Sequence, residues 1–426
     1  MISGMQPANR RTTNPIGHLV VFAAMAFLVL FNLVLLWSSR ASIFGGYNDF
    51  RAYYSSALLV RQGRGVQIYN DQVQAETQAP LLDNPSVYPG FSPFNHPAYE
   101  TLIWIPLTFL PYRTAAISWT IINLVICLGL SLYLPRYLPE LPVFPWTLLM
   151  LGFGPLIFTL LLGQDSILLL MIYVFAFINL KQDRPYLAGA ILALGLFRFH
   201  LLIPFVFIFM LFRHWKFVAG FCAGAVVPIL LSVYIAGSEG SRDYVNLLLY
   251  VNQFSEPQRY VLVASNMPTL HGLFSLLFGA SATTERLIPV LTVVCSVGLC
   301  VLAYKVWSKC KPTLRIEFAF GLVITILVSF YMYAYDLALL LLAILLMIDP
   351  KDFGEMWKLN KPLIVIVILL AAAPLYVLLG LQTAVALMAV PILGLLYLLV
   401  VACRGAGSLR VVARVIAEAE NHVRGQ

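Results

Sequence analysis

Apolar runs of about 20 residues recur along this chain of 426 residues, and that is the length a helix needs to cross a bilayer. Residues 16–37 form one such run and residues 363–379 another. Inside lipid, backbone N–H and C=O groups find no water, so runs of this kind can only be helices that satisfy their own hydrogen bonds. The rest of the chain leaves no soluble alternative. It is 61% hydrophobic and 11% charged, whereas a soluble domain carries about 25% charged residues and needs them for its surface. The expected fold is an all-α integral membrane protein.

About twelve spans can be placed, at 16–37, 114–134, 142–162, 166–180, 185–197, 201–212, 217–236, 287–304, 316–332, 337–348, 363–379 and 384–402. A further apolar piece, 267–278, is short for a span and reads as re-entrant or interfacial. With the N-terminus inside and sides alternating, 18 of the 27 Lys and Arg fall on the inner side, including every lysine, and nine, all arginine, on the outer side. Basic loops mark the cytoplasmic side, so this assignment agrees with itself. It gives one polytopic domain over residues 1–404 and a cytoplasmic tail, 405–426, patterned as a short amphipathic helix. Both termini are then cytoplasmic, in a plasma (inner) membrane. Two outer segments are long, 38–113 and 237–286. Arg10 and Arg11 precede the first run and no small-residue cleavage site follows Trp37, so that run reads as an uncleaved first helix.

The net charge of +8 sits in short loops between spans, which argues against nucleic acid as partner. The six cysteines fall in spans or inner loops, with no metal-ligand spacing and no expected disulfide. No phosphate-binding Gly-rich loop, dinucleotide turn or zinc-protease motif occurs, so neither a nucleotide nor another cofactor is expected. The span interiors hold almost no ionisable residue, unlike ion-coupled carriers, which place relays there. Charges gather instead at the outer ends of spans, at Asp49, Asp165, Arg198, His200 and Asp336.

Asp49 follows Gly45-Gly46-Tyr47-Asn48 and lies a dozen residues past the first span, at head-group depth. A carboxylate there can take the proton of an attacking hydroxyl, or it can cap the helix that begins at Phe50. The stretch Tyr88-Pro89-Gly90-Phe91-Ser92-Pro93-Phe94-Asn95-His96-Pro97 reads as a rigid loop dipping into the interface. Its rings suit sugars or isoprenoid chains, or form an aromatic belt without ligand. Gly163-Gln164-Asp165-Ser166 is a polar turn between spans. Arg198-Phe199-His200 interrupts an apolar run, and suits a phosphate or a capped turn. In Asn266-Met267-Pro268-Thr269-Leu270-His271-Gly272, His271 can polarise a hydroxyl or serve packing alone.

The order of these pieces resembles glycosyltransferase family 87, membrane transferases that use polyprenyl-phosphate sugars. The matching residues are Asn48-Asp49-Phe50, Tyr53-Tyr54, Ala57, Gly63, Ile68-Tyr69, Gly163-Gln164 and Arg198 ahead of Pro204, over about residues 15–350. The resemblance implies a GT-C-type bundle with a long first extracytoplasmic loop and an active site on that face. It also implies a polyprenyl-phosphate donor, usually of mannose, a lipid or glycan acceptor, and inversion. Asp49 then stands where the family has its general base. Arg198 stands where the family commonly has Lys, at the donor phosphate with His200. His271 is a further catalytic candidate, and Asn48, Tyr53, Tyr54, His96, Gln164, Asp165 and Asn266 are expected to line the substrates. Such chemistry needs one carboxylate and one or two cations, and no metal in principle. A flippase for lipid-linked glycans and a non-catalytic assembly partner share the architecture. The first requires movement without bond formation, the second tolerance of substitution at Asp49, Arg198 and His271.

Overall fold

The computed structural model describes residues 15–84, 90–138, 143–250, 266–279, 282–347, 353–378 and 382–403, and no strand occurs among them. The C-terminal tail and residues 251–265 of the second outer segment lie outside the described residues, as does Tyr88. Helices form where the apolar runs are: Pro15–Ser38, Tyr112–Tyr133, Ser166–Lys181, Trp215–Tyr250, Ala282–Cys310, Leu314–Val328, Ala338–Met347 and Phe353–Ala371. Among the described residues, four helices are long and apolar enough to cross a membrane alone: Tyr112–Arg136, Trp215–Leu249, Arg286–Cys310 and Val385–Cys403. A fifth span results if Pro185–Ala193 and Leu196–Leu211, bent by 68° at their junction, count as one. Shorter apolar helices, Ser166–Lys181 among them, fill the interior.

Burial separates two kinds of helix. All ten residues of Ala338–Met347 are buried, and so are eleven of Ser166–Lys181. Trp215–Leu249 and Arg286–Cys310 bury only 22% and 17% of their most apolar windows and turn Val227, Leu230, Val294 and Val297 outward. An apolar outer face of this extent fits lipid, since soluble proteins rarely expose contiguous apolar patches of more than a few hundred Å². This is a membrane protein.

Two sequence readings need correction. The segment from residue 237 is not loop at its start. Gly237, at φ 65° and ψ −174°, kinks the helix, which continues to Tyr250. That extension packs on the first outer segment, Tyr244 lying 5.1 Å from Tyr69 between ring centroids. The Pro- and aromatic-rich stretch is also not an open platform: Phe91, Phe94 and Trp104 are buried. Phe94 and Trp104 join Phe50, Tyr53, Ile68, Tyr69, Trp119 and Leu247 in a second core, separate from the bundle's. A polar segment of this length must bury its own apolar surface to hold a single shape, and the aromatics provide it.

Candidate active site

The site is built where the first outer segment meets the turns of the bundle. Helix Ser166–Lys181 is preceded by a turn that only glycine makes easily. Gly163 has φ +67°, and a Cβ there would lie 2.6 Å from Phe50 Cβ. The turn docks directly on the start of helix Phe50–Arg61. Asp49 N–H donates to Leu162 O at 3.0 Å, and Trp119 Nε1–H to Gly163 O at 3.2 Å. Gln164 and Asp165 are thereby brought to Asp49.

Asp49 occupies the N-cap position but makes no side-chain cap bond. Its carboxylate accepts instead from Gln164 Nε2 at 2.6 Å and Ser92 Oγ at 3.2 Å. The residue is partly exposed. Burial of the carboxyl group raises its pKa above the ordinary 3.8, and the two hydrogen bonds pull the other way. The helix-cap reading therefore gives way to an oriented carboxylate on a partly exposed residue.

Gln164 Oε1 accepts from Tyr53 OH at 2.7 Å and from Arg198. Arg198 leaves the break between Pro185–Ala193 and Phe199–Leu211, and Tyr99 fixes that break. The Tyr99 hydroxyl donates to Leu194 O at 2.9 Å and accepts from Phe197 N–H at 2.7 Å. The guanidinium meets Asp165 Oδ1 at 2.6 Å and Asp336 Oδ2 at 3.9 Å, and it lies over the Tyr335 ring. Asp336 also accepts from Ser166 Oγ at 2.8 Å. Arg198 is 5% exposed, so its charge is spent on two carboxylates rather than held open for a phosphate. Sequence gave its charge and place, but not the acid that takes it.

His96 and Glu100 complete the cluster. His96 Nδ1 lies 2.6 Å from Glu100 Oε2 and 3.7 Å from Asp165 Oδ2, while Nε2 is 3.4 Å from Tyr53 OH. Burial holds the His96 imidazole down to about 4, and pushes the Glu100 carboxyl up to about 7 and that of Asp165 up to about 6. Glu100 is a site residue the sequence reading missed. Its only signal was the four-residue spacing from His96.

The other candidates divide. Asn48 is structural, donating to Leu161 O and accepting from Tyr112 OH. Tyr54 turns away, its hydroxyl on Leu110 O at 2.9 Å. His200 is close to Arg198, with Nε2 buried and without a hydrogen bond. His271 stands apart, its ring 5.3 Å from Phe330 and Nδ1 3.5 Å from Thr292 Oγ1. No hydrogen bond among the described residues joins His271 or Asn266 to the Asp49 network.

No curated protein and no solved structure matches the chain. Residues 94–329 match the family model of glycosyltransferase family 87. The match takes in His96, Glu100, Gln164, Asp165, Arg198 and His271, and begins downstream of Asp49. It spans more than half of the chain and includes both the broken helix and the turn that build the site, so the chain belongs to glycosyltransferase family 87 and is a membrane glycosyltransferase.

Proposed function

We propose that the protein moves a sugar, mannose in the simplest case, from a polyprenyl phosphate to a hydroxyl of a lipid or glycan acceptor, with inversion, at the extracytoplasmic face. Asp49 is the general base. It takes the acceptor's proton as that oxygen attacks the anomeric carbon, while the bond from that carbon to the phosphate oxygen breaks on the opposite side. The leaving phosphate keeps the bonding electron pair and its lipid.

The observation that carries this reading is the carboxylate of Asp49. It is partly exposed, freed from capping, and aimed by Gln164 and Ser92. A second observation supports the alternation of sides. Groups assigned by sequence to the outer ends of spans meet one another, as Asp49, Gln164, Asp165, Arg198 and Asp336 do. Groups assigned to inner ends also meet, as Lys181 with Tyr137 O and His214 with Glu317 do. That pairing favours the alternating topology with about twelve spans in a GT-C-type bundle, although fewer helices are long enough to cross alone. Arg198 holds Asp165 and Asp336 in place beside the donor site, and His200 stands next to it. Tyr53, His96, Gln164 and Asp165 shape the pocket around it.

The test is transfer by purified protein from a synthetic polyprenyl-phosphate mannose, with product anomericity read by NMR. Transfer with inversion supports the reading. Movement of lipid-linked glycan across a vesicle membrane with no new glycosidic bond would replace it with a flippase.

A further inference from the structure

The cluster holds more negative charge than its cation can balance. Asp165 and Asp336 share Arg198. Glu100, with no exposed surface, forms no ion pair with an Arg or Lys among the described residues, and neither of its oxygens closes a hydrogen bond of good geometry. Asp165 Oδ2 is likewise buried and without a hydrogen bond of good geometry, and the Trp104 indole N–H faces Glu100. Buried carboxylate oxygens in this condition are costly and call for a partner.

The tautomer of His96 sharpens the point. With the Tyr53 hydroxyl donating to Gln164 Oε1, the tautomer that carries its proton on Nε2 can give it to Tyr53 OH at 3.4 Å. The lone pair of His96 is then on Nδ1, facing Glu100 Oε2 and Asp165 Oδ2. Three lone-pair-bearing atoms converge at one buried place. One donor atom from each of the three residues lies within 4.8 Å of the other two. Ligands across an ion with bonds of 2.0–2.5 Å are separated by about 4–5 Å.

We propose that His96, Glu100 and Asp165 form a site for one hard divalent cation of the Mg2+ or Mn2+ type. Two carboxylate oxygens and one imidazole nitrogen favour such an ion. The Nε2–H contact with Tyr53 is the outer-shell support that holds a ligating imidazole in its tautomer. His96 is 13% exposed, so the ion has a way in and an open side for further oxygens. Sequence spacing pairs only His96 with Glu100, because Asp165 comes from a different turn. The role of the ion rests on the transferase reading. With Arg198 occupied by Asp165 and Asp336, the cation offers the donor phosphate the positive charge that Arg198 does not.

The experiment uses full-length protein in detergent, stripped with EDTA and titrated with Mn2+ in the absence of substrate, the free ion being counted by EPR. One Mn2+ per chain is expected, with a nitrogen coupling from His96 in pulsed spectra. Glu100→Gln should weaken binding at least tenfold, and His96→Gln should remove the nitrogen coupling. Absence of stoichiometric Mn2+ in folded wild-type protein would overturn the site, as would binding unchanged by both variants. Should Glu100→Gln fail to fold, the nitrogen coupling and its loss in His96→Gln decide alone. A protein that transfers sugar but takes no Mn2+ ends the site and leaves the transferase reading standing. One that takes Mn2+ at this site but transfers nothing keeps the site and ends the transferase reading.

Discussion

Gln164 joins the two halves of the site: its N–H orients Asp49, and its carbonyl accepts from Tyr53 and Arg198. Because burial raises the Asp49 carboxyl, the rate should climb with pH through a point above 3.8 and then level, as a base must be deprotonated to act. Gln164→Glu places a second carboxylate against Asp49 and should move that acid limb to higher pH, which a pH profile of kcat/KM measures directly. Arg198→Gln leaves Asp165 and Asp336 buried without a countercharge, and the expected loss is about 3–5 kcal/mol of stability, read from denaturation in detergent. At this scale the sequence was a partial guide. Asp165 and Arg198 stand out because they interrupt apolar stretches, and Asp49 because it follows the first span by a dozen residues. Glu100 does not, since the contact that defines it comes from Asp165, which is far along the chain. Arg198 looked available for a phosphate because sequence shows a charge and not its partner.

Among the elements, the turn at Gly163 determines whether the bundle presents Gln164 to Asp49. Gly163→Ala should destabilise by at least about 1 kcal/mol, since a left-handed residue gains a Cβ. That Cβ would press on Phe50, so transfer should fall along with the melting temperature although no reacting group has changed. The break before Arg198 was legible, because polar residues cut an apolar run there. The helix beyond Gly237 was not. Gly237-Ser238-Glu239-Gly240-Ser241 has the composition of a loop, and only packing against Val66 and Tyr69 makes it helical. The aromatic stretch was misplaced for a similar reason: composition marks large rings but not whether a second core will take them.

For the whole molecule, hydropathy alone gave the class, since the bilayer admits no other way to bury such runs. Sidedness came from the lysines, and it can be read independently. A cysteine at exposed Gln62 should react with a membrane-impermeant maleimide in intact cells, and one at exposed Lys216 only after permeabilisation, with the unsubstituted chain as baseline. The reverse pattern would put the Asp49 site in the cytoplasm. The most direct measurement is single-turnover transfer from polyprenyl-phosphate mannose by wild-type protein and by Asp49→Asn of equal melting temperature. If Asp49 is the base, the variant should be slower by about 10²–10⁴-fold while binding the donor as before. Transfer at the wild-type rate by the folded variant would contradict that role and return Asp49 to an ordinary surface carboxylate.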